Sequence, residues 1–583
     1  MIDLNEIQES VKSEITRLDE PRNRARYFMY GKAGESDSDG SYSVVFRNAP
    51  ERVLRDIKYV YEPLFRVGDL FVNGKFEKVS NGVKVTFEKA VLRSSGIDNF
   101  NLRQITDFGI DYIMDGRRLT ADLLNFLTIN STNPNEIVSS LLDKSVLSDH
   151  KEVVAAFAAD KLNESQIKAV KKALSQNITF VWGPPGTGKT KTMGALASHL
   201  IKNGKRVLLT ALSNKALDQL LISTLESASP LNKFNITVAR TGSVDNMHDS
   251  VKIFSRDIYQ NRQYRIKRNA FTWNEHVSLC TCVATNFASL ASPKTADPGP
   301  VDFVIADEMS MASIPAIIAA CYYAKKGVVL GGDPMQLPPI FPDDADKPNA
   351  WFSRNIFDMA KVERHDERTA FLDTQYRMQE PIGNLVSDLF YEGELKTGTA
   401  KKDIKGTFKS NIVFINCKGK IENINGAVIN GTEERRFNEK HAEAIAGITI
   451  KLVNNKEFKS EEIGIIAPYN AQIVKIKEVL AKSTELIKIN PEYFEQVQVS
   501  TIHSFQGQEK SVIIMNICDD EVKPTRLTAR KELINVALSR AKELLIIVGN
   551  RDYLLNQNYF SKDETEIFKK IIESSEVINS EKL

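Results

Sequence analysis

The sequence is poor in the residues that build disulfide scaffolds and metal centres. Among its 583 residues there are only five cysteines and seven histidines. The cysteines are scattered, without a C-x-x-C pair, at Cys280, Cys282, Cys321, Cys417 and Cys518. A disulfide framework or a structural zinc site needs closely spaced ligands. We therefore expect buried thiols that behave as small hydrophobic residues, and neither structural zinc nor an iron–sulfur cluster.

Long apolar runs and a charge of one sign are also missing. No apolar stretch approaches the roughly 18 residues that a membrane span needs, and the first residues, Met1–Glu6, are acidic and amphipathic rather than typical of a secretory signal. We expect a cytoplasmic protein with no membrane partner. The formal net charge is only +2, so any basic surface that binds nucleic acid must be local and balanced by acidic surfaces elsewhere.

The chain is too long for one hydrophobic core and carries no internal repeat. Apolar spacing predicts a helix within residues 1–30, then strands between residues 43 and 87 with hairpin turns at Asn73-Gly74 and Asn81-Gly82, then helices again. Four regions are predicted: an N-terminal helix with a small β-barrel-like domain (1–100), a helical stalk (101–160), and two larger α/β domains (161–408 and 409–583).

The most informative stretch is a glycine-rich loop between a predicted strand and a predicted helix. Residues 177–182 are apolar and β-prone, Gly183–Thr190 reads G-x-x-x-x-G-K-T, and a helical pattern follows. In such a loop the backbone N–H groups surround a β-phosphate, Lys189 reaches the β and γ oxygens, and the Thr190 hydroxyl ligates magnesium. The pattern predicts a bound nucleoside triphosphate with Mg²⁺, but not what the triphosphate is used for.

Strands and helices alternate after this loop, as is typical of a parallel α/β sheet. Strands are predicted at residues 206–210, 236–240, 277–284 and 301–305. The last of them leads into Asp307 and Glu308. A carboxylate at the end of a buried strand beside the phosphate loop can hold magnesium through water, and the next carboxylate can polarise the attacking water.

Four further residues have the chemistry that an ATP site needs. Gln166 precedes the phosphate loop, and its amide offers both a donor and acceptors to the edge of adenine. Gln336 follows the predicted strand at 327–330, where a sensor of the γ-phosphate would lie. Tyr376 offers an aromatic face to adenine, and Arg377 offers a fixed positive charge to the transition state.

A second α/β pattern begins near Asn411 and has no phosphate loop of its own. It carries polar segments at 467–470, 500–509 and 535–542, which follow or connect its strands. A sheet domain with glycine, glutamate and arginine at its strand and helix ends is expected to close over the nucleotide of the first domain.

Seven segments, in this order, resemble those of superfamily 1 helicases, specifically the branch with the nonsense-mediated-decay helicase and Senataxin-type enzymes. They are GPPGTGKT (183–190), DE (307–308), GGDPMQLPP (331–339), QYRM (375–378), APYNAQ (467–472), STIHSFQGQE (500–509) and NVALSRAK (535–542). The resemblance covers residues 162–549 and implies two RecA-like parallel-sheet domains with ATP and Mg²⁺ between them. By position, residues 1–160 resemble the small barrel and helical stalk of that family.

The resemblance also implies a set of nucleotide contacts. Gln166 would contact adenine and Tyr376 would stack on it, while Gly507 and Glu509 would face the nucleotide from the second domain. The phosphate contacts would come from Gly183, Pro184, Pro185, Gly186, Thr187, Gly188, Lys189, Thr190 and Lys191, with Thr190 and Asp307 holding magnesium.

The catalytic roles that the resemblance implies fall on Lys189, Asp307 and four other residues. Glu308 would be the general base, Gln336 the γ-phosphate sensor, and Arg377 and Arg540 the arginine fingers. Single-stranded DNA or RNA would cross both domains, where hydroxyls, amides and backbone N–H groups contact phosphates without sequence preference. The expected contacts are Ser213, Asn214, Thr241, Thr285, Pro468, Tyr469, Asn470, Thr501 and His503.

The chain departs from this family at two positions. Met309 stands where alanine is common, and we interpret it as a packing change. His503 stands where an acidic residue is common, and we expect it to contact phosphate or backbone. The resemblance implies an ATP-dependent helicase that moves 5′ to 3′. Two alternatives stay open: an ATPase that remodels protein–nucleic acid complexes, and a non-translocating ATP switch within a larger defence or repair complex.

Overall fold

The computed structural model of the chain describes most of its residues. These are residues 4–20, 26–29, 35–36, 41–46, 63–67, 70–79, 82–94, 110–113, 117–131, 136–143, 161–229, 236–266, 271–292, 295–339, 349–400, 406–423, 436–482, 496–505, 507–524 and 529–582.

The N-terminal strands form two four-stranded sheets. The first has the order β1 (Arg26–Met29), β8 (Ile110–Ile113), β4 (Leu64–Val67), β5 (Leu70–Asn73), and the second has the order β2 (Glu35–Ser36), β3 (Tyr42–Phe46), β7 (Gly82–Phe87), β6 (Lys75–Val79). The pairs that join neighbouring strands are antiparallel. Phe65 of the first sheet packs edge-on against Phe76 and Phe87 of the second, with ring centroids 5.1 and 5.5 Å apart, so aromatic side chains join the two sheets.

Three sequence predictions for this region need correction. The first helix spans only Leu4–Asp19, because a strand already begins at Arg26. Part of the region predicted as a helical stalk is a strand, Ile110–Ile113, which pairs with both β1 and β4. Asn73-Gly74 connects strands of different sheets, β5 and β6, and is therefore not a hairpin turn. Asn81 lies outside the described residues, and the strands on either side of the predicted turn Asn81-Gly82, β6 and β7, form an antiparallel pair.

The N-terminal helix is part of the first α/β domain's hydrophobic core. Ile7 and Val11 are fully buried in the same cluster as residues of the helices Arg117–Asn130 and Ile314–Cys321. The helix also makes a polar contact with this domain, because Trp351 Nε1 donates to Glu6 Oε1 at 3.2 Å. Removal of this helix would therefore expose apolar surface of the α/β domain to water.

The first α/β domain is built on a seven-stranded sheet in which the described pairs are all parallel. Its order is β11 (Val238–Arg240), β12 (Cys282–Ala284), β10 (Val207–Ala211), β13 (Val301–Asp307), β14 (Ala324–Gly332), β9 (Ile178–Trp182), β15 (Thr369–Phe371). Neighbouring residues of β13 face opposite sides, with Val304 and Ile305 in different apolar clusters, so helices cover both faces. The predicted strand 277–284 is shorter, because Trp273–Leu279 is helical.

The second α/β domain repeats this design with a six-stranded parallel sheet. Its order is β22 (Gln498–Ser500), β21 (Ile463–Ile466), β23 (Lys510–Asn516), β24 (Ala541–Gly549), β18 (Ile412–Asn416), β25 (Glu576–Asn579). Short two-stranded pairs accompany the two sheets: β16 (Thr374–Gln375) with β17 (Lys396–Thr397), and β19 (Ile421–Asn423) with β20 (Arg436–Asn438).

The described helices complete the three regions. In the N-terminal region they are Leu4–Asp19, Lys89–Ser94, Arg117–Asn130 and Glu136–Ser140. In the first α/β domain they are Glu164–Ser175, Lys189–Lys202, Asn214–Ala228, Arg256–Ile266, Trp273–Leu279, Phe287–Leu290, Ile314–Cys321, Ala350–Ser353 and Ile356–Met359. In the second they are Glu439–Asn454, Asn470–Lys482, Lys531–Leu538, Arg551–Leu554 and Lys562–Glu573. The helix Glu380–Phe390 lies within the predicted range of the first domain, but it packs in the apolar cluster of the second sheet.

The cysteines are all free and buried, as the sequence predicts. Burial raises the pKa of the Cys282 and Cys321 thiols to about 12, so both stay protonated at neutral pH. Among the described helices, none is both long and apolar enough to cross a membrane.

Candidate nucleotide site and nucleic-acid interface

The phosphate loop lies at the carboxyl end of β9, as the sequence predicts. Gly186 and Gly188 adopt positive φ angles of 76° and 74°, which residues with a Cβ rarely take. A Cβ at Gly186 would stand 2.7 Å from the Cβ of Arg377, and one at Gly188 would stand 2.8 Å from Gln166 Nε2. The loop is therefore packed from both sides, and only glycine fits at these two turns.

Hydrogen bonds hold several backbone and side-chain groups of the loop in position. Gly183 N–H donates to the Gly332 carbonyl at 2.9 Å, which joins the loop to β14. The Thr187 hydroxyl donates to the Pro184 carbonyl at 2.7 Å, and Pro184 and Pro185 are buried. Lys191 faces away, because its ammonium donates to the Lys161 carbonyl at 2.7 Å. The structure thus gives no support to the predicted phosphate contact of Lys191.

Lys189 and Thr190 meet the carboxylate at the end of β13. The Lys189 ammonium contacts Asp307 Oδ1 and lies 3.4 Å from Glu308 Oε1, and the Thr190 hydroxyl donates to Asp307 Oδ2 at 2.8 Å. Burial opposes the charge on Lys189, but the two carboxylates outweigh it and raise its pKa above the usual value. The lysine therefore stays charged, and the carboxylate is already neutralised by a cation.

Glu308 has a strained backbone of the kind often found at active sites. Its φ is 60°, a left-handed conformation that is uncommon for a non-glycine residue. Its own N–H donates to Asp307 Oδ1 at 2.8 Å, and the next residue, Met309, is fully buried with its N–H on the Gly331 carbonyl. This backbone conformation directs Asp307 into the site and leaves Glu308 half-exposed at its edge. Met309 packs into the core, as expected.

Gln166 is placed differently from the sequence prediction. Its side chain is buried, its Oε1 accepts from Asn163 N–H at 3.0 Å, and its Nε2 donates to the Thr187 carbonyl at 2.9 Å. Both amide atoms therefore hold the phosphate loop and cap the helix Glu164–Ser175, and with only 3% of the residue exposed the predicted adenine contact has no support in this structure. Tyr376, by contrast, is 49% exposed, and its hydroxyl accepts from Asn163 Nδ2 at 2.9 Å, which leaves the ring accessible for stacking.

Arg540 of the second domain reaches the first domain's predicted sensor. Its Nη2 donates to Gln336 Oε1 at 3.2 Å, and its Nε donates to the Val536 carbonyl at 3.1 Å. Burial and the neighbouring positive charge of Arg377 lower the pKa of Arg540 to about 9. The guanidinium is buried but still carries its charge at neutral pH, and no carboxylate is within hydrogen-bond distance of it among the described residues.

Arg377 also makes hydrogen bonds to residues of the second domain. Its Nε donates to Glu509 Oε2 at 2.6 Å and its Nη1 to the Ser539 carbonyl at 3.1 Å. Glu509 also pairs with Lys542 through Oε1 at 2.6 Å. Burial favours the protonated carboxyl, but Arg377 and Lys542 outweigh it and lower the pKa of Glu509. Gly507 lies nearby in an exposed turn with φ 69°.

The first domain's predicted strand contacts divide into accessible and inaccessible residues. Ser213 is exposed, although its hydroxyl caps the helix Asn214–Ala228, and Asn214 is half-buried. Thr241 and Thr285 are buried, and their N–H groups donate to Ala284 and Leu209 carbonyls within the sheet edge. In this conformation neither threonine can contact a nucleic acid strand, so the prediction for these two is corrected.

The second domain shows the same division. Tyr469 is fully buried, and its hydroxyl donates to Asp519 Oδ2 at 2.5 Å, so it is a core residue rather than a strand contact. Pro468 and Asn470 are half-buried at the start of the helix Asn470–Lys482. Thr501 is half-buried and His503 is exposed in the turn after β22. The accessible residues of the two domains are those that follow the carboxyl ends of β10, β21 and β22.

A buried ion pair that the sequence does not predict lies at the strand ends of the first domain. Arg240 is fully buried; its Nε donates to Asp218 Oδ1 at 2.7 Å and its Nη2 donates to Asn214 Oδ1 at 3.0 Å. Asn286 Nδ2 donates to the same Asn214 oxygen at 3.0 Å. The only available signal was a charged residue inside an otherwise apolar strand, which nearly always has a partner when buried.

The predicted nucleotide site around Thr190 and Asp307 also suits a hard divalent cation. The Thr190 hydroxyl and the Asp307 carboxylate are oxygen donors that already touch, which is the donor chemistry that Mg²⁺ prefers. Among the described residues there is no cluster of three or more His, Cys, Asp or Glu side chains that could by itself hold a metal ion. Any magnesium here would therefore depend on phosphate and water ligands as well.

This geometry defines a class of protein. A phosphate loop at the carboxyl edge of a parallel sheet, followed by an Asp-Glu pair and facing a second parallel sheet that supplies Arg540, is the architecture of a P-loop NTPase with two RecA-like domains. Two family models agree, each described as an AAA domain. One matches residues 161–275 and 255–342, and the other matches residues 352–552.

Proteins with sequences similar to this chain identify the family within this class. The chain is 26% identical to the regulator of nonsense transcripts 1 homolog of Drosophila melanogaster over 79% of this chain and 42% of that protein. It is 29% identical to the DNA replication ATP-dependent helicase/nuclease DNA2 of Homo sapiens over 73% of this chain and 40% of that protein. The chain belongs to the superfamily 1 helicases, in the branch that these two proteins represent.

The relatives are longer than this chain. It spans less than half the length of the two proteins named above. Among solved structures, the arterivirus nonstructural protein 10 helicase with DNA aligns with 67% of this chain and 64% of its own at 13% identity. The TM-score is 0.34, a value too low to establish a shared arrangement of domains.

Proposed function

We propose that this chain is an ATP-dependent helicase that translocates along single-stranded nucleic acid, from 5′ to 3′. The observation that carries the proposal is the contact between Arg540 and Gln336 across the two sheet domains, beside the cluster of Lys189, Thr190 and Asp307. An arginine from one domain that meets a polar sensor of the other gives ATP a means to hold the domains together and hydrolysis a means to release them.

The residues of the first domain would supply the nucleotide chemistry. On ATP binding, Lys189 would exchange Asp307 for the β and γ oxygens, and Asp307 with Thr190 would hold magnesium, which supplies charge neutralisation at the phosphates. Glu308 would accept a proton from the attacking water. Its half-exposed carboxylate, next to Asp307 but turned away by the positive φ, leaves room for that water.

The site would be complete only when the two domains close. Arg377 and Arg540 would both stabilise charge on the transferring phosphoryl group, and Glu509 would release Arg377 toward it. The accessible residues Ser213, Pro468 and Thr501 at the strand ends would contact phosphates of the single strand.

The first test is steady-state ATP hydrolysis with single-stranded DNA and single-stranded RNA of equal length. Stimulation by either identifies the preferred strand and supports the proposal. ATP hydrolysis that no nucleic acid changes would instead support a non-translocating ATP switch in a larger complex.

The second test separates a helicase from a remodelling ATPase. Forked duplexes and duplexes with a 5′ or a 3′ single-stranded overhang are incubated with ATP, and strand separation is measured. The proposal expects unwinding from the 5′ overhang. Strand-stimulated ATP hydrolysis without unwinding, together with displacement of a bound protein from the strand, would favour remodelling of protein–nucleic acid complexes.

A further inference from the structure

Tyr391 connects the two sheet domains through a buried hydroxyl. It follows the helix Glu380–Phe390, which packs in the apolar cluster of the second sheet domain, and its side chain is fully buried. The hydroxyl donates to Asp333 Oδ2 at 2.6 Å and accepts from Asn535 Nδ2 at 2.8 Å. Asn535 belongs to the helix Lys531–Leu538 of the second domain. One hydroxyl therefore bonds a buried group of each domain.

Asp333 in turn fixes the predicted γ-phosphate sensor. Its carboxylate is 2% exposed and accepts from Trp182 Nε1 and from Met335 N–H, both at 3.0 Å, through Oδ1. Its Oδ2 accepts from Gln336 Nε2 at 2.8 Å as well as from Tyr391. Because Asp333 takes the amide nitrogen of Gln336, the amide oxygen faces Arg540. The orientation of the sensor thus depends on how Asp333 is held.

The second domain contacts this turn at two points from one helix. Asn535 Nδ2 also donates to the Met335 carbonyl at 2.7 Å, next to Gln336. Arg540, just beyond the end of the same helix, donates to Gln336 itself at 3.2 Å. When the domains separate, the two contacts must break together, because a single rigid helix positions both residues. Tyr391 is the only side chain of the described residues that bonds both Asp333 and Asn535.

We propose that Tyr391 is a positioning residue that aligns Gln336 and Arg540 when the domains close, and so makes hydrolysis depend on closure. This inference rests on the proposed function. Its chemistry is a buried hydrogen bond to a carboxylate, which is stronger than one between neutral groups when the carboxylate is charged. Loss of the hydroxyl would leave Asp333 and Asn535 each with one hydrogen bond fewer and would free the sensor amide to rotate.

The test is Tyr391→Phe in the full chain, with strand-stimulated ATP hydrolysis as the readout. We expect kcat to fall about tenfold while the KM for ATP changes less than about twofold, because the lost contact acts on the closed state rather than on nucleotide binding. The matched control is Tyr553→Phe. Tyr553 is also buried, and its hydroxyl donates to the Val522 carbonyl at 2.8 Å within the second domain, so its kcat should equal that of the wild type.

A double-mutant cycle with Asn535→Ala gives the second readout. If Tyr391 acts through Asn535, the double variant should be no more than about twofold slower than the slower single variant, since coupled residues are not additive. Losses that multiply independently would overturn the inference, as would a wild-type kcat in Tyr391→Phe or an equal loss in Tyr553→Phe. A wild type without strand-stimulated hydrolysis would overturn the proposed function itself, which is a distinguishable result.

Discussion

Arg377 donates from Nε to Glu509 Oε2 at 2.6 Å, a bond that crosses from the first sheet domain to the second. The charge that the proposal assigns to the transition state is therefore held by a carboxylate in this structure. Arg540 has no such acidic partner among the described residues and is buried against Gln336. The two predicted arginine fingers thus have different electrostatic surroundings.

Arg377→Ala and Arg540→Ala should each lower kcat, by up to about 10³-fold if each arginine contacts the transferring phosphoryl group. Arg540→Ala also removes a contact to Gln336, whereas Arg377→Ala leaves Glu509 paired with Lys542. Turnover with saturating single strand is the measurement, and Glu509→Gln is the control, since it removes the carboxylate charge but leaves both arginines. Single effects below about fivefold would mean that the arginines only support domain closure.

Glu308→Gln should bind ATP and single strands while hydrolysing ATP very slowly. The amide keeps the shape of the side chain but cannot accept the proton of the attacking water. Binding of a fluorescent ATP analogue and single-turnover hydrolysis are measured on the same preparation. If the variant loses nucleotide binding as well, Glu308 is a structural residue of the strained turn and not the general base.

Ile7→Ala should destabilise the first α/β domain, although it lies about 180 residues before the phosphate loop along the sequence. Ile7 is fully buried in the domain's apolar cluster, and removal of such a side chain costs about 2–5 kcal/mol. Urea unfolding followed by tryptophan fluorescence measures the loss, with Glu9→Ala, whose side chain is 71% exposed, as the control. Equal stability of the two variants would show that the N-terminal helix is not part of this core.

Binding of single strands should weaken steeply as salt increases, because phosphate contacts release counterions. The measurement is the dissociation constant of a labelled single strand over a series of salt concentrations. The non-hydrolysing Glu308→Gln variant should show the same slope, since Glu308 is assigned to the nucleotide. A dissociation constant that does not change with salt would contradict a groove that follows the strand through its phosphates.

The sequence predicted the parts of the site that depend on local pattern. Gly183–Thr190 and the Asp307-Glu308 pair each follow an apolar strand, and strand, loop and helix are adjacent in the chain, so neighbouring residues were enough to place them. The alternation of strands with helices was likewise enough to predict two parallel sheets. The positions of these strands, loops and helices and the two parallel sheets are confirmed, whereas the roles of the residues in binding ATP stay predictions.

The parts that failed depend on contacts between distant residues. Tyr469 follows an apolar strand in a polar turn, and only its bond to Asp519, 50 residues later, shows that it is buried. Gln166 has the chemistry to contact adenine, but a capping contact with Asn163 and a bond to Thr187 use its amide. Ile110–Ile113 forms a strand because partners far along the chain are available. Local spacing carries no information about such partners.

The most direct test of the account compares the wild type with Lys189→Ala in ATP hydrolysis, with and without single strands and with and without Mg²⁺. Lys189 is the cation at the Asp307 carboxylate and the proposed contact of the β and γ oxygens. We expect strand-stimulated, magnesium-dependent hydrolysis by the wild type and none above background by the folded variant. Near-normal turnover by Lys189→Ala would contradict the assignment of this cluster as the ATP site.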